Sequence, residues 1–111
     1  MIRRATVAIA AACMAISVSA TQVYGSSDCG TWVAAKTEPL SRRAQELWLV
    51  GYLSGLNAMH DRTGLKPADP LGRVNSMTQV FLWMDNYCQA NPLKFVVQGA
   101  DGLWLELNTS K

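Results

Sequence analysis

Few side chains in this 111-residue sequence are of the types that carry out chemistry. His60 is the only histidine, and it stands beside Asp61 near the end of a helical pattern. An imidazole in that place can act as a general base or a pH switch. It can also simply sit at a helix C-terminus, where it interacts favourably with the helix dipole. No serine, cysteine or second acid joins it in a recognisable nucleophile and base motif, so the helix-end reading is taken. No catalytic residue is assigned, and the chain is read as not an enzyme. One histidine and the two cysteines Cys29 and Cys88, which are expected to be oxidised, leave no zinc-type spacing, so neither metal nor cofactor is expected.

The compartment follows from the first twenty residues. Met1-Ile2-Arg3-Arg4 is a basic start, Ala5 to Val18 is apolar and small, and Val18-Ser19-Ala20 presents small residues at a cleavage site. That order is expected of a secretory signal peptide over residues 1–20, with cleavage after Ala20 and a periplasmic mature chain. The apolar run falls well short of the ~20 residues that span a bilayer, which argues against a membrane anchor. Ala10-Ala11-Ala12-Cys13 resembles a lipoprotein site, but the stretch ahead of it is too short. Loss of Arg3 and Arg4 would leave eight Lys and Arg against eight Asp and Glu. No basic footprint for nucleic acid then survives, and that class is set aside.

Export also settles the cysteine arithmetic. With Cys13 removed, Cys29 and Cys88 have one intramolecular pairing, which an oxidising compartment favours. The loop closed would be about sixty residues, worth roughly 4 kcal/mol in the chain-entropy model. Two buried free thiols or an intermolecular bridge are the alternatives.

The remaining chain reads as helices. Residues 21–27 are polar and expected to form a flexible tail, with a helical domain over 28–108. Ser27 or Asp28 can cap a short helix from Cys29 to Lys36. A second helix runs from Pro39 to about His60, with Pro39 in its first turn. Its expected core stripe holds Leu40, Ala44, Leu47, Trp48, Gly51 and Gly55, widened by Leu49, Tyr52, Leu53 and Leu56. Arg42, Arg43 and Glu46 mark the wet side. Gly51 and Gly55 share a face, and two helix-interior glycines suggest a second helix packing closely there. A ligand groove floored by glycine is the alternative.

Residues 61–73 have the Gly, Pro and Asp of a loop. Asn75 or Ser76 caps a third helix, with Met77, Val80, Phe81, Met84, Tyr87 and Cys88 at helical spacing through Ala90. Asn91-Pro92 reads as the start of a fourth, carrying Leu93, Val96, Val97, Ala100, Leu103, Trp104 and Leu107. The fold class is therefore all-α: a small disulfide-stapled bundle of about four helices.

Four tryptophans, Trp32, Trp48, Trp83 and Trp104, are many for a domain this size. Trp48 and Trp104 fit core stripes. Leu82 and Trp83 fall beside the stripe of the third helix, and are the candidate partner-binding residues. Met59, Met77 and Met84 read as core fillers.

Three segments carry a family resemblance: Cys29-Gly30-Thr31-Trp32, Trp48-Leu49-Val50-Gly51-Tyr52-Leu53-Ser54-Gly55, and Trp83-Met84-Asp85-Asn86-Tyr87-Cys88-Gln89-Ala90-Asn91-Pro92. Together they resemble the HdeA-type periplasmic proteins, and their layout is similar to that of the Rap immunity proteins of type VI secretion. The resemblance implies a Cys29–Cys88 disulfide and protein binding. The activity implied is acid-stress chaperoning or, alternatively, neutralisation of a secreted toxin. The expected partner is thus another protein, client or toxin, or a second copy in a homodimer. The chain departs from the Rap type in having no further cysteine in residues 61–73 or at its C-terminus. It departs from HdeA in its low charge.

Overall fold

The computed structural model describes residues 21–109, which form a four-helix bundle without a strand among them. The expected signal segment, residues 1–20, lies outside the described residues. Helix α1 (Cys29–Ala34) passes through a 3-10 turn (Ala35–Thr37) into the long α2 (Pro39–Arg62). A loop with a second 3-10 turn (Pro70–Arg73) leads to α3 (Met77–Ala90), and α4 (Val96–Thr109) closes the bundle. The all-α disulfide-stapled class expected from the sequence is what the chain adopts.

Local chemistry sets the helix ends. Asp28 caps α1: Oδ1 accepts from Thr31 N at 2.7 Å and Oδ2 from Thr31 Oγ1 at 3.0 Å. These bonds hold the Asp28 carboxyl below its ordinary pKa, the backbone bond from Thr31 contributing most. At α3, Gln79 reaches back past the N-cap Ser76, so that Asn75 N donates to its Oε1 at 2.8 Å. Gln98 does the same for Phe95 N at α4.

Residues 24–28 are not a flexible tail but a strap along the bundle. Cys29 N donates to Lys94 O at 2.8 Å, Val96 N to Ser27 O at 2.9 Å, and Trp48 Nε1 to Tyr24 O at 2.8 Å. Gly25 has φ +82° and lies under the Trp48 ring, where a Cβ would come within 2.9 Å. The same pairing explains why α4 begins at Val96 rather than Pro92. The backbone of residues 94–96 is committed to the strap, and Leu93 stays 95% exposed.

The core joins Cys29 and Trp32 of α1, Leu49 and Leu53 of α2, Val80, Met84 and Cys88 of α3, and Val96, Ala100 and Leu103 of α4. Helix α2 turns the opposite way from the expected stripe. Leu49 and Leu53 are its buried residues, whereas Leu40, Ala44, Leu47, Gly51 and Gly55 face solvent. Both faces of α2 are apolar, so periodicity alone could not say which points inward. A methyl added at Gly51 or Gly55 would meet nothing within 4 Å. Among the described residues no helix packs on them, which corrects the helix-packing expectation. The close approach occurs instead at Gly99 of α4, where a Cβ would lie 2.7 Å from both Met84 Sδ and Tyr87 Cδ1.

Candidate functional site

Cys29 and Cys88 are joined by a disulfide that ties α1 to α3, and both are buried. Trp32 lies three residues after Cys29, and Asp85 three before Cys88. One helical turn separates each pair, so the bridge carries Trp32 up against Asp85. Trp32 Nε1 donates to Asp85 Oδ1 at 2.8 Å. Arg42 of α2 lies over the Trp32 ring, 4.2 Å from its centroid, and its Nη2 donates to the same Oδ1 at 2.9 Å. Lys36 Nζ stands 3.6 Å from Oδ2. Arg42 therefore does not mark the wet side: it closes a polar knot among three helices. The indole and the guanidinium satisfy a carboxylate that would be costly to bury alone. This knot holds architecture together and does not expose a reactive atom. The two helical-turn spacings about the cysteines were the sequence signal for it.

Beyond the knot, α3, α4 and the 3-10 turn at Pro70–Arg73 enclose a groove of about 200 Å³. Its floor is Val80, Leu103 and Leu107, and its rim carries Arg73, Gln79, Trp83 and Glu106. Trp83 is half-buried and held on two sides. Its ring stacks on Tyr87 with centroids 5.5 Å apart and planes 9° from parallel, and Nε1 donates to Glu106 at 2.8 Å. Arg73 Nη1 donates to Leu107 O at 2.8 Å, within the last turns of α4. Leu82, the other candidate, is 59% exposed on α3 but does not line the groove. The two partner-binding residues expected from the sequence are thus separated: one edges a groove, the other stands on open surface.

The second cleft, about 400 Å³, lies against the disulfide and is lined by Cys29, Gly30, Val33, Ala34, Cys88, Gln89 and Pro92. Gln89 is its one polar side chain able to orient a ligand. The α3–α4 groove is smaller than the ~300–1,000 Å³ of small-molecule sites but has convergent polar groups. It has room for a single large apolar side chain.

His60 is half-buried rather than an exposed helix end. Its ring meets Trp104 edge-on at 5.5 Å, and Nε2 lies 2.7 Å from Pro67 O. A carbonyl only accepts, so Nε2 carries the proton and the ring pins the 61–73 loop. Of the other tryptophans, Trp48 and Trp104 are half-buried, and Trp48 stacks on Tyr52 at 5.2 Å. Tyr52 Oη donates to Asp101 Oδ1 at 2.6 Å. Burial, then the bond to Asp101 and its charge, push the phenol up to about 12.

Among the described residues no three His, Cys, Asp or Glu side chains converge to hold a metal ion, and no helix is long and apolar enough to cross a membrane. Comparison with protein families, with curated proteins and with solved structures gives no match to this chain.

Proposed function

We propose that this chain is an exported, periplasmic protein-binding module that takes an apolar side chain of another protein into the groove between α3 and α4. The observation that carries this reading is the fixing of Trp83. A stacked neighbour and a hydrogen bond hold a large aromatic edge over an apolar floor, with Arg73, Gln79 and Glu106 around it. Binding energy at protein interfaces concentrates on such anchors, and tryptophan leads among them.

A rigid groove suits one partner better than many. Promiscuous binders use flexible, methionine-rich surfaces that repack around each client. The held geometry of Trp83 therefore favours recognition of a single protein, as in an immunity protein that neutralises a secreted toxin. The HdeA-type chaperone reading requires apolar surface that appears on acidification instead. Protonating the eight carboxylates would take the charge of residues 21–111 from about zero to roughly +9 with His60, and self-repulsion would then loosen the bundle.

Capture from periplasmic extract at pH 7 and pH 3 separates the two. The single-partner reading expects one protein retained at pH 7, with affinity weakened by about 2 kcal/mol or more in Trp83→Ala, the hot-spot threshold. Retention of many proteins at pH 3 alone, with suppression of acid-induced aggregation, would favour the chaperone. Binding unchanged by Trp83→Ala at both pH values would remove the groove from the account.

A further inference from the structure

Asn108, in the last turn of α4, stands in a sequence pattern that neither the core nor the groove explains. Thr109 follows it and Ser110 stands two residues on, so Glu106-Leu107-Asn108-Thr109-Ser110 contains an Asn-x-Ser triplet without proline. The other asparagines, Asn57, Asn75, Asn86 and Asn91, have Met59, Met77, Cys88 and Leu93 at that place, where there is no hydroxyl. Asn-x-Ser/Thr marks an acceptor for N-linked oligosaccharide in exported proteins. Transferases that face the bacterial periplasm require in addition an acid two residues before the asparagine, and Glu106 occupies that position.

We propose that Asn108 is a glycosylation site, modified after export by an oligosaccharide carried on a polyprenyl pyrophosphate. The geometry of α4 suits this chemistry. Leu107 is the last core residue of the helix, so residues 108 and 109 can turn outward and leave the core intact. Asn108 follows the exposed Asp101 by two helical turns and so shares its face, away from the core residues Ala100, Leu103 and Leu107. Glu106 and Thr109 are exposed, and Asn108 is half-buried. The amide that must react donates from Nδ2 to Trp104 O at 2.8 Å, and beside it Thr109 Oγ1 donates to Leu105 O at 3.0 Å. Both bonds satisfy carbonyls of a final turn that has no further helix to hold it, and helix ends of this kind fray. The acceptor amide is therefore released by opening the end of α4, without unfolding the bundle.

In the transfer, Asn108 Nδ2 attacks C1 of the first sugar. The bond from C1 to the pyrophosphate oxygen breaks, polyprenyl pyrophosphate leaves with that electron pair, and Nδ2 gives up one proton. Nothing is oxidised or reduced, and the chain gains the mass of the oligosaccharide less one water. The product is a bulky, solvated group on the surface. It stands on the flank of α4 that carries Asp101 and leaves the groove open, since the α4 residues lining the groove are Leu103, Glu106 and Leu107. The inference rests on the export reading and not on the groove.

Intact-mass spectrometry of the chain from cells that naturally make it reads the modification, and N-terminal sequencing of the same sample reads export. The expected result is a chain that starts at Thr21, is heavier than its sequence by one oligosaccharide, and holds the glycan on the peptide containing Asn108. The purified, disulfide-bonded full chain should gain an oligosaccharide from a bacterial oligosaccharyltransferase supplied with a polyprenyl-pyrophosphate donor. Asn108→Gln, Ser110→Ala and Glu106→Gln should each abolish that gain while keeping the helical circular dichroism of the parent. A cellular chain that starts at Thr21 and has the mass of its sequence alone overturns the proposal, as does a glycan that survives any of the three substitutions. If the cellular chain keeps residues 1–20, the export reading fails by itself and the purified reaction decides the site. Transfer to the folded chain then upholds it, and transfer only after reduction and denaturation overturns it.

Discussion

Replacing Gly55 and Gly99 each by alanine adds the same methyl group to two helix interiors, and the structure assigns the two changes opposite signs. Alanine is favoured over glycine in a helix by up to about 1 kcal/mol. At Gly55 the methyl meets nothing within 4 Å, so the whole propensity gain is realised. At Gly99 it lies 2.7 Å from Met84 Sδ and from Tyr87 Cδ1. Met84 is fully buried, and Tyr87 is held in its stack on Trp83, so neither can step aside cheaply. Overpacking of this kind costs about 1–3 kcal/mol, which exceeds or cancels the propensity gain. The two variants should then differ by about 1–3 kcal/mol, with Gly55→Ala above the parent and Gly99→Ala at or below it. For a domain of this size each kcal/mol moves the melting temperature by about 4–8 °C. Thermal unfolding followed by circular dichroism resolves that gap. Equal upward shifts would refute the packing of α4 on α3 through Gly99.

The remaining predictions rest on other contacts. Asp85→Ala should cost roughly 2–4 kcal/mol in denaturant unfolding, because Arg42 and Trp32 Nε1 lose their shared acceptor among three helices; a loss within about 0.5 kcal/mol, as at ordinary surface sites, would show the knot to be incidental. Tyr52 has a folded pKa raised to about 12 from the ordinary phenol value of 10.0, so its contribution to stability is complete below pH 10 and is lost as pH rises from there toward 12. Ultraviolet titration of tyrosinate should show one late phenol that Tyr52→Phe abolishes, and a normal titration of all tyrosines would contradict this. Asp28 runs the other way: its depressed carboxyl supports α1 above about pH 4, and that support is lost as pH falls through the lowered value, so Asp28→Ala should flatten the acid limb of the stability curve. The secreted chain should begin at Thr21 on N-terminal sequencing, and Cys88→Ser should lower its stability by about 2–5 kcal/mol; an uncleaved chain, or free thiols in the native protein, would contradict the export reading.

The helix count, the cap at Asp28 and the Cys29–Cys88 pairing were legible because each depends on local chemistry or on arithmetic. The orientation of α2 was not. Its two faces are both apolar over Leu47 to Met59, and the choice between them is made by a distant charge: Asp85 on α3 draws Arg42 inward, and Leu49 and Leu53 follow. Helix-interior glycines are ambiguous for the same reason. Gly51 and Gly55 share a face and invite a packing interpretation, but the side chains of α3 lie over Gly99 and Gly102 of α4 instead. The strap at residues 24–28 was hidden because its hydrogen bonds are made by backbone groups, to which polar side-chain composition is no guide. Trp83 was singled out by its place beside the core stripe. What the sequence could not show was the groove next to it, which exists only because α4 and the Pro70–Arg73 turn meet there.

The central claim, that the α3–α4 groove receives another protein, is tested most directly by a photo-crosslinking residue at Gln79, exposed on the groove rim, in cells that export the chain. The same residue at Lys66, in the 61–73 loop, is the control. The account predicts one covalent adduct of defined mass from position 79 at neutral pH, absent from position 66 and diminished by Trp83→Ala. Identical adducts from both positions, or none from position 79, would contradict it.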